Sequence, residues 1–485
     1  MNMKNRLNII TTILAGVFTL TSCSDWFDIS PKTDVKAEDL YDTENGFISS
    51  LAGAYILMTD EGVYGSNMSF GLLDQLAQMY DLIPDGATTR DGLYNYAQSS
   101  TGYNTKGKLE TMWLKSYNII ANANNLLRWL DIKGDLIISE ENTRNMLRGE
   151  ALAIRAYMHF DLLRGWGPAN YQSNPEVRET KCIPYRTVTD DSKQPRLAAS
   201  KIVENIIADL DSAKKFLSYE KKIQLAKYGD EGNRRFRLNY HAVNALMARV
   251  YNYAGNKEKA KFHAQAVIDS CGLHLQTGND EDPVLFSETI SGVNVYQMLD
   301  FFSDYFDNGD KIDSKYHLTL DRMKLIFETS GTESQDMRAK STAFLRSDDG
   351  KKLVSRKYIK NDHEIIPLIR LPEMYYIIAE SSEGDEAASY INYVRNKRGL
   401  SSTLNVNCNT EEDKINALST EYRKEFYAEG QYFYFLKNHG FTGSLPYSQN
   451  GDIVLQEEHF IFPLPDAEKE YGWTEEVEEE NEENV

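Results

Sequence analysis

Residues 81–108 of this 485-residue chain concentrate tyrosine, asparagine, glycine and charge, with Asp85, Arg90, Tyr94, Asn95, Tyr96, Tyr103 and Asn104 in one short stretch. Tyrosine rings offer apolar faces on which the C–H face of a pyranose stacks, and asparagine, aspartate and arginine fix hydroxyls at the ring edge. The stretch has neither helical nor strand periodicity, and long aperiodic segments inside compact domains are usually functional. A second aperiodic stretch, Gln276 to Pro367, offers Tyr296 and Tyr305 among several phenylalanines. The expected chemistry is recognition of a sugar or peptide by Arg90, Tyr94, Asn95, Tyr96, Tyr103, Asn104, Tyr296 and Tyr305. The same tyrosines would also serve to pack their segments onto the fold.

Catalytic and metal-binding patterns fail on context. Gly102 to Lys108 spells the phosphate-loop consensus, but Leu109 replaces the hydroxyl residue that holds magnesium, and Gln98 to Thr101 is no buried strand. Asp304 to Lys315 imitates a calcium loop with Phe306 and Lys315 at liganding positions. His363-Glu364 begins a zinc-protease motif whose second histidine is replaced by Pro367. No GxSxG elbow occurs, and no pair of carboxylates is singled out for glycoside hydrolysis. Cys182, Cys271 and Cys408 lack CxxC spacing and read as buried thiols. No catalytic residue, metal or cofactor is expected.

The elements that would position such a platform centre on Arg148 to Pro168. Leu147, Ala151, Ile154, Met158 and Leu162 form one helical stripe, and Ala153, Ala156, Phe160 and Leu163 a second, so the helix is buried on two sides. Ser139 with Glu140 and Glu141 suits its start; Gly165 and Gly167-Pro168 suit a left-handed end, with Trp166 as part of the terminus. Its core recurs: Ala151-Leu-Ala-Ile-Arg-Ala-Tyr157 matches Ala245-Leu-Met-Ala-Arg-Val-Tyr251. Arg155 and Arg249, on matching turns, are expected as buried ion-pair partners. Further helices are predicted over 43–58, 70–80, 112–130 and 201–217. Asn239 to Ala254 followed by Glu258 to Ile268, and Met374 to Ala379 followed by Ala387 to Arg398, read as tetratricopeptide-type hairpins. The separation of the two matching helices is no multiple of the ~34-residue repeat, so long insertions interrupt the solenoid.

The formal charge is −20. A field of that sign repels phosphate backbones and excludes nucleic acid as a partner. Lys4 and Arg6 precede a mostly apolar run that closes on Leu20-Thr21-Ser22-Cys23, the pattern of a bacterial lipoprotein signal in which the sulfur of Cys23 carries diacylglycerol. The run is too short to span a bilayer, whereas several acyl chains on Cys23 give stable anchoring. Acidic residues at Ser24 to Asp28 favour the outer face of the outer membrane. The expected organisation is a signal over 1–22, a spacer over 23–42, a helical domain over 43–470 and an acidic tail over 471–485 that is too polar to fold alone.

Taken together, several motifs resemble the SusD/RagB family of outer-membrane nutrient-binding lipoproteins. They are the lipobox at Cys23, Trp113-Leu-Lys-Ser-Tyr-Asn-Ile-Ile-Ala-Asn-Ala-Asn-Asn125, Glu150 to Phe160 with Gly165-Trp-Gly-Pro168, and Ile183-Pro184-Tyr185. Arg370 to Glu380, Ile391 to Gly399, Glu421 to Gly430 and Ile461-Phe-Pro-Leu-Pro465 complete the order. Gln431 to Gly440 departs by losing the family's Arg-Trp ending, and Tyr471-Gly472 stands where Asn-Pro is common. The resemblance implies a mainly all-α fold of tetratricopeptide-like hairpins with long irregular ligand-facing insertions. It implies capture of an oligosaccharide without chemistry, and delivery to a TonB-dependent barrel of the SusC type. A peptide-capturing relative and a surface-anchored glycan hydrolase are the alternatives.

Overall fold

The computed structural model describes residues 37–81, 91–94, 96, 104–190, 192–227, 234–277, 282, 285–307, 309, 312–329, 335–359 and 364–472. Cys23, the signal, most of the spacer and the tail from residue 473 lie outside them. Helix α1 (Glu44–Met58) starts where Thr43 accepts a hydrogen bond from the Gly46 amide at 3.1 Å, and it buries Phe47, Leu51, Ala54, Tyr55 and Met58. The helix predicted over 70–80 shrinks to Leu72–Leu76. Gln78 takes a positive φ of 54°, and its side chain is held by the backbone of Ile453, so tertiary contacts override the local period.

Helix α2 (Thr105–Trp129) runs into a π-turn, Leu130–Gly134, and is followed by α3 (Glu141–Trp166). Helix α3 is the predicted central helix, and Ala151, Ala153, Ile154, Ala156, Tyr157, Met158, Phe160, Leu162 and Leu163 are all fully buried in it. Helices α1 and α2 and α4 (Ala199–Phe216) pack around it. Its ends differ from expectation. Glu140, not Ser139, is the N-cap and makes no side-chain bond; Arg144 instead binds the carbonyls of Ile138 and Ser139. Gly165 lies inside the helix, where a Cβ would come 3.0 Å from the Phe462 ring, and Gly167 is extended (φ −76°) rather than left-handed.

Strands β1 (Lys181–Pro184) and β2 (Arg196–Ala198) form an antiparallel pair beside α3 and α4. The first predicted hairpin is α5 (Tyr240–Tyr253) and α6 (Lys257–Ser270), turning at Gly255 (φ +73°) with Asn256 as cap. The expected irregular stretch follows, but it contains short strands. Strand β3 (Thr289–Asn294) pairs with a later strand, and β4 (Leu318–Thr319), β5 (Phe344–Arg346) and β6 (Lys352–Ser355) make a sheet of order β4-β6-β5 beside α7 (Leu320–Phe327). Strand β7 (Ile365–Arg370), antiparallel to β3, leads into the second predicted hairpin, α8 (Leu371–Glu380) and α9 (Gly384–Lys397). Helices α10 (Glu411–Glu425) and α11 (Gln431–Asn438) form a further pair, and α12 (Asp466–Tyr471) ends the described chain. Pairs stack in series, α6 on α8 and α9 on α10, so the molecule is mainly helical, a solenoid with an irregular flank.

Buried charges join the two parts. Arg155 binds Asp209 through two bonds of 2.7 and 2.6 Å, and Arg249 binds Glu373 at 2.5 and 2.6 Å, as the matching turns of α3 and α5 predict. Glu425 of α10 is a hub: Arg370 and Arg398 each approach it at 2.8 Å and Arg338 at 3.1 Å. Arg398 also reaches Glu288, and Arg370 reaches Glu429. Cys182, Cys271 and Cys408 are buried free thiols.

Candidate functional site

The first half of α2 carries the candidate site. Asn104 caps the helix by accepting from the Gly107 amide at 2.8 Å, and a Cβ at Gly107 would stand 2.3 Å from the Asn104 amide, so glycine lets the cap close. Thr105 donates to the Leu93 carbonyl at 2.9 Å and so fastens the turn bearing Tyr94 and Tyr96 to the helix start. Tyr94 is buried; its hydroxyl donates to the Leu76 carbonyl and its ring lies against His459. Tyr96 is half-buried, donates to the His459 carbonyl at 2.7 Å and turns an edge to Phe462. Arg90, Asn95 and Tyr103 lie outside the described residues.

Tyr96 forms one wall of a groove of about 270 Å³ whose other walls are Lys106, Leu109 and Glu110 of α2 and the extended segment 461–466. A second groove of about 530 Å³ adjoins it through Glu110 and Pro465. It follows Trp113, Leu114 and Tyr117 along the same helix face and is closed by Arg186, residues 192–194 and Glu468. Spacing of three and four residues places Lys106, Leu109, Glu110, Trp113, Leu114 and Tyr117 in one stripe. Leu114 is 62% exposed, whereas Trp113 is buried against Trp166. Trp166 donates to the Pro463 carbonyl at 2.8 Å, so it shapes the groove floor from beneath and packs against Phe462.

Charge in the grooves is mixed. Lys106 pairs with Asp466, and the Arg186 guanidinium is committed to the carbonyls of Ser192 and Asp190. Burial pushes the Glu468 carboxyl up from its ordinary range, against the pull of Arg196 and Arg186. Such an assembly suits a neutral, hydroxyl-rich or peptide-like chain lying along α2.

Tyr296 and Tyr305 lie apart from these grooves. Tyr296 follows β3 and is 79% exposed. Tyr305 is half-buried, packs on Phe70 and stacks on Tyr316, and burial beside Glu61 pushes its hydroxyl up. The turn at Asp60 to Val63 next to Glu61 packs on Thr111 and Lys115, the opposite face of α2 from the groove stripe. Tyr94 and Tyr96 thus lie at the start of α2, and Tyr305 lies beside the turn that packs on its opposite face. The groove residues Leu114, Tyr117, Pro463, Pro465 and Arg186 were not singled out by sequence; the exposed leucine on α2 and the Pro-Leu-Pro run were the available signals. Among the described residues no group of three metal-ligating side chains occurs, and no helix is long and apolar enough to cross a membrane.

A series of stacked antiparallel helix pairs, with an irregular flank and a lateral groove along α2, defines a tetratricopeptide-like scaffold. Residues 25–252 match a family profile described as starch-binding and associating with the outer membrane, and residues 247–437 match that of the SusD family. The chain belongs to the SusD/RagB family. It is 26% identical over 261 residues to SusD-like protein P2 of Formosa agariphila, covering 53% of this chain and 46% of that one. It is 27% identical over 293 residues to SusD-like protein P38 of the same organism, covering 59% and 50%. The chain thus spans about half the length of the curated relatives it matches. Among solved structures, a SusD superfamily protein of Bacteroides thetaiotaomicron superposes with a TM-score of 0.69 at 21% identity, covering 89% of this chain and 98% of the other. A SusD-like carbohydrate binding protein of Bacteroides vulgatus gives 0.66 at 16%, covering 88% and 96%. At these identities the superpositions speak for the fold.

Proposed function

We propose that this protein is a cell-surface glycan-binding lipoprotein, lipidated at Cys23, that captures an oligosaccharide and hands it to a SusC-type TonB-dependent outer-membrane transporter without altering it. The observation that carries the reading is the paired groove along α2, where the ring of Tyr96, the exposed Leu114 and the 461–466 segment face hydroxyl-binding side chains. Family membership, and a family profile characterised by starch binding at the outer membrane, support it. Tyr96 and the cap residue Asn104 bound the near end of the site, and Arg90, Asn95 and Tyr103 are their neighbours in sequence. Tyr94 supports Tyr96 from the core, and Tyr296 and Tyr305 form a second contact away from the groove.

Affinity measurements on Tyr96→Ala and Tyr296→Ala test the site. Loss of one stacking ring weakens binding by about tenfold, equivalent to about 1.4 kcal/mol. Undiminished affinity in both variants would place the ligand elsewhere, and binding of peptides instead of sugars would replace the cargo with that of the peptide-capturing relatives. Turnover abolished by changing one carboxylate would make the protein a hydrolase.

A further inference from the structure

The charged cluster that joins the irregular flank to the solenoid lines a partly open cavity of about 50 Å³, several times the roughly 10–15 Å³ that one water requires. Four bases line it, Arg338, Lys357, Arg370 and Lys424, against a single carboxylate, Glu425. Arg338, Arg370, Lys424 and Glu425 are buried and Lys357 nearly so. Their hydrogen-bonding capacity is not exhausted. A lysine ammonium has three N–H donors. Lys357 gives one to Glu429 at 2.6 Å and one to the Tyr427 carbonyl at 2.7 Å, while Lys424 has one short partner, the half-exposed Glu328, at 2.7 Å. The Tyr427 hydroxyl, also on the cavity residues, is buried with no partner among the described residues.

The charge of the ion-paired cluster is uneven as well. Among the described residues Arg395, Arg398 and Arg423 join the four lining bases, and their acids are Glu288, Glu328, Asp336, Glu421, Glu425 and Glu429, one fewer than the bases. Burial pushes the carboxyl of Asp74, which Lys357 also faces, up to about 8, which favours its neutral form. A buried cation excess and unmatched donors are costly unless compensated. The remaining wall is mostly apolar, with Leu285, Phe327, Met337, Ala343 and Phe344 beside the hydroxyl residues Thr342 and Ser355. Such a wall disfavours strongly hydrated divalent anions and tolerates a weakly hydrated monovalent one.

We infer that this cavity binds one small monovalent anion of the halide class, held by the ammonium groups of Lys357 and Lys424 and the hydroxyl of Tyr427. The anion neutralises the cluster and ties the β5–β6 hairpin to α10. It is independent of the glycan groove.

Crystals of the protein grown in sodium bromide test this directly. An anomalous peak at the bromine edge is expected inside the cavity, and density for water alone there would overturn the inference. In solution, replacing methanesulfonate by chloride at constant ionic strength is expected to raise the melting temperature of the wild type with saturation. Tyr427→Phe, which keeps the ring packing, should weaken that response by about tenfold in chloride concentration, and Lys357→Met should abolish it. A wild-type curve indifferent to chloride, or an undiminished response in Tyr427→Phe, would equally overturn it.

Discussion

His159 is locked as a neutral imidazole: Nδ1–H donates to the Arg155 carbonyl at 2.8 Å, and Nε2 accepts the Arg186 amide at 3.0 Å, with the ring stacked on Tyr185. Burial pushes its pKa down to about 3, whereas in the unfolded chain it titrates near ~6.5. Only the unfolded state gains the proton over that window, so stability from this group is complete above about pH 6.5 and is lost as pH falls toward 3. His159→Gln is therefore expected to be less stable at pH 7, yet to lose less melting temperature than the wild type between pH 6.5 and 4. Parallel pH profiles would refute the assignment. Glu425 gives a second residue-scale prediction. Glu425→Gln leaves Arg338, Arg370 and Arg398 without their shared carboxylate, and chemical denaturation should show a loss of about 3–5 kcal/mol. At this scale the sequence was informative where a pattern repeated, since the matching turns of α3 and α5 exposed both Arg155 and Arg249 as ion-pair residues. For Tyr94 it offered ligand contact and packing alike, and could not show that the hydroxyl would be taken by the Leu76 carbonyl from a different turn.

Among elements, the start of α2 matters most, because it sets the Tyr96 turn and one side of both grooves. Gly107→Ala drives a methyl into the Asn104 side chain, and the lost cap should cost about 1 kcal/mol in denaturant titration. Ligand affinity should fall with it, because the Leu93–Tyr96 turn hangs from Thr105; unchanged affinity would detach the cap from the site. The long helices were legible from their stripes, and the structure adds that Thr43, Asn239 and Asn256 cap three of them. The strands of the irregular flank were not. Each is short, and outside the β5–β6 hairpin the partner is remote, as where Thr289 pairs with Arg370, so the pairing leaves little local period to read. The helix predicted over 70–80 failed for the related reason that Gln78 answers to Ile453 rather than to its neighbours.

For the whole molecule, one large core runs through solenoid and flank, while residues near 96, 184–194 and 461–472 frame a groove along α2. That arrangement fits a protein that holds a ligand on a stiff frame. The grooves themselves escape sequence reading because their walls converge from four distant segments, near residues 96, 106–117, 184–194 and 461–472. The central claim, capture of an oligosaccharide without turnover, is tested most directly by calorimetric titration of the purified protein against plant, host and microbial oligosaccharides and mixed peptides, with product analysis of each sample. Saturable heat from a sugar that is recovered intact is the predicted result. Cleaved sugar, or heat from peptides with none from any sugar, would contradict it.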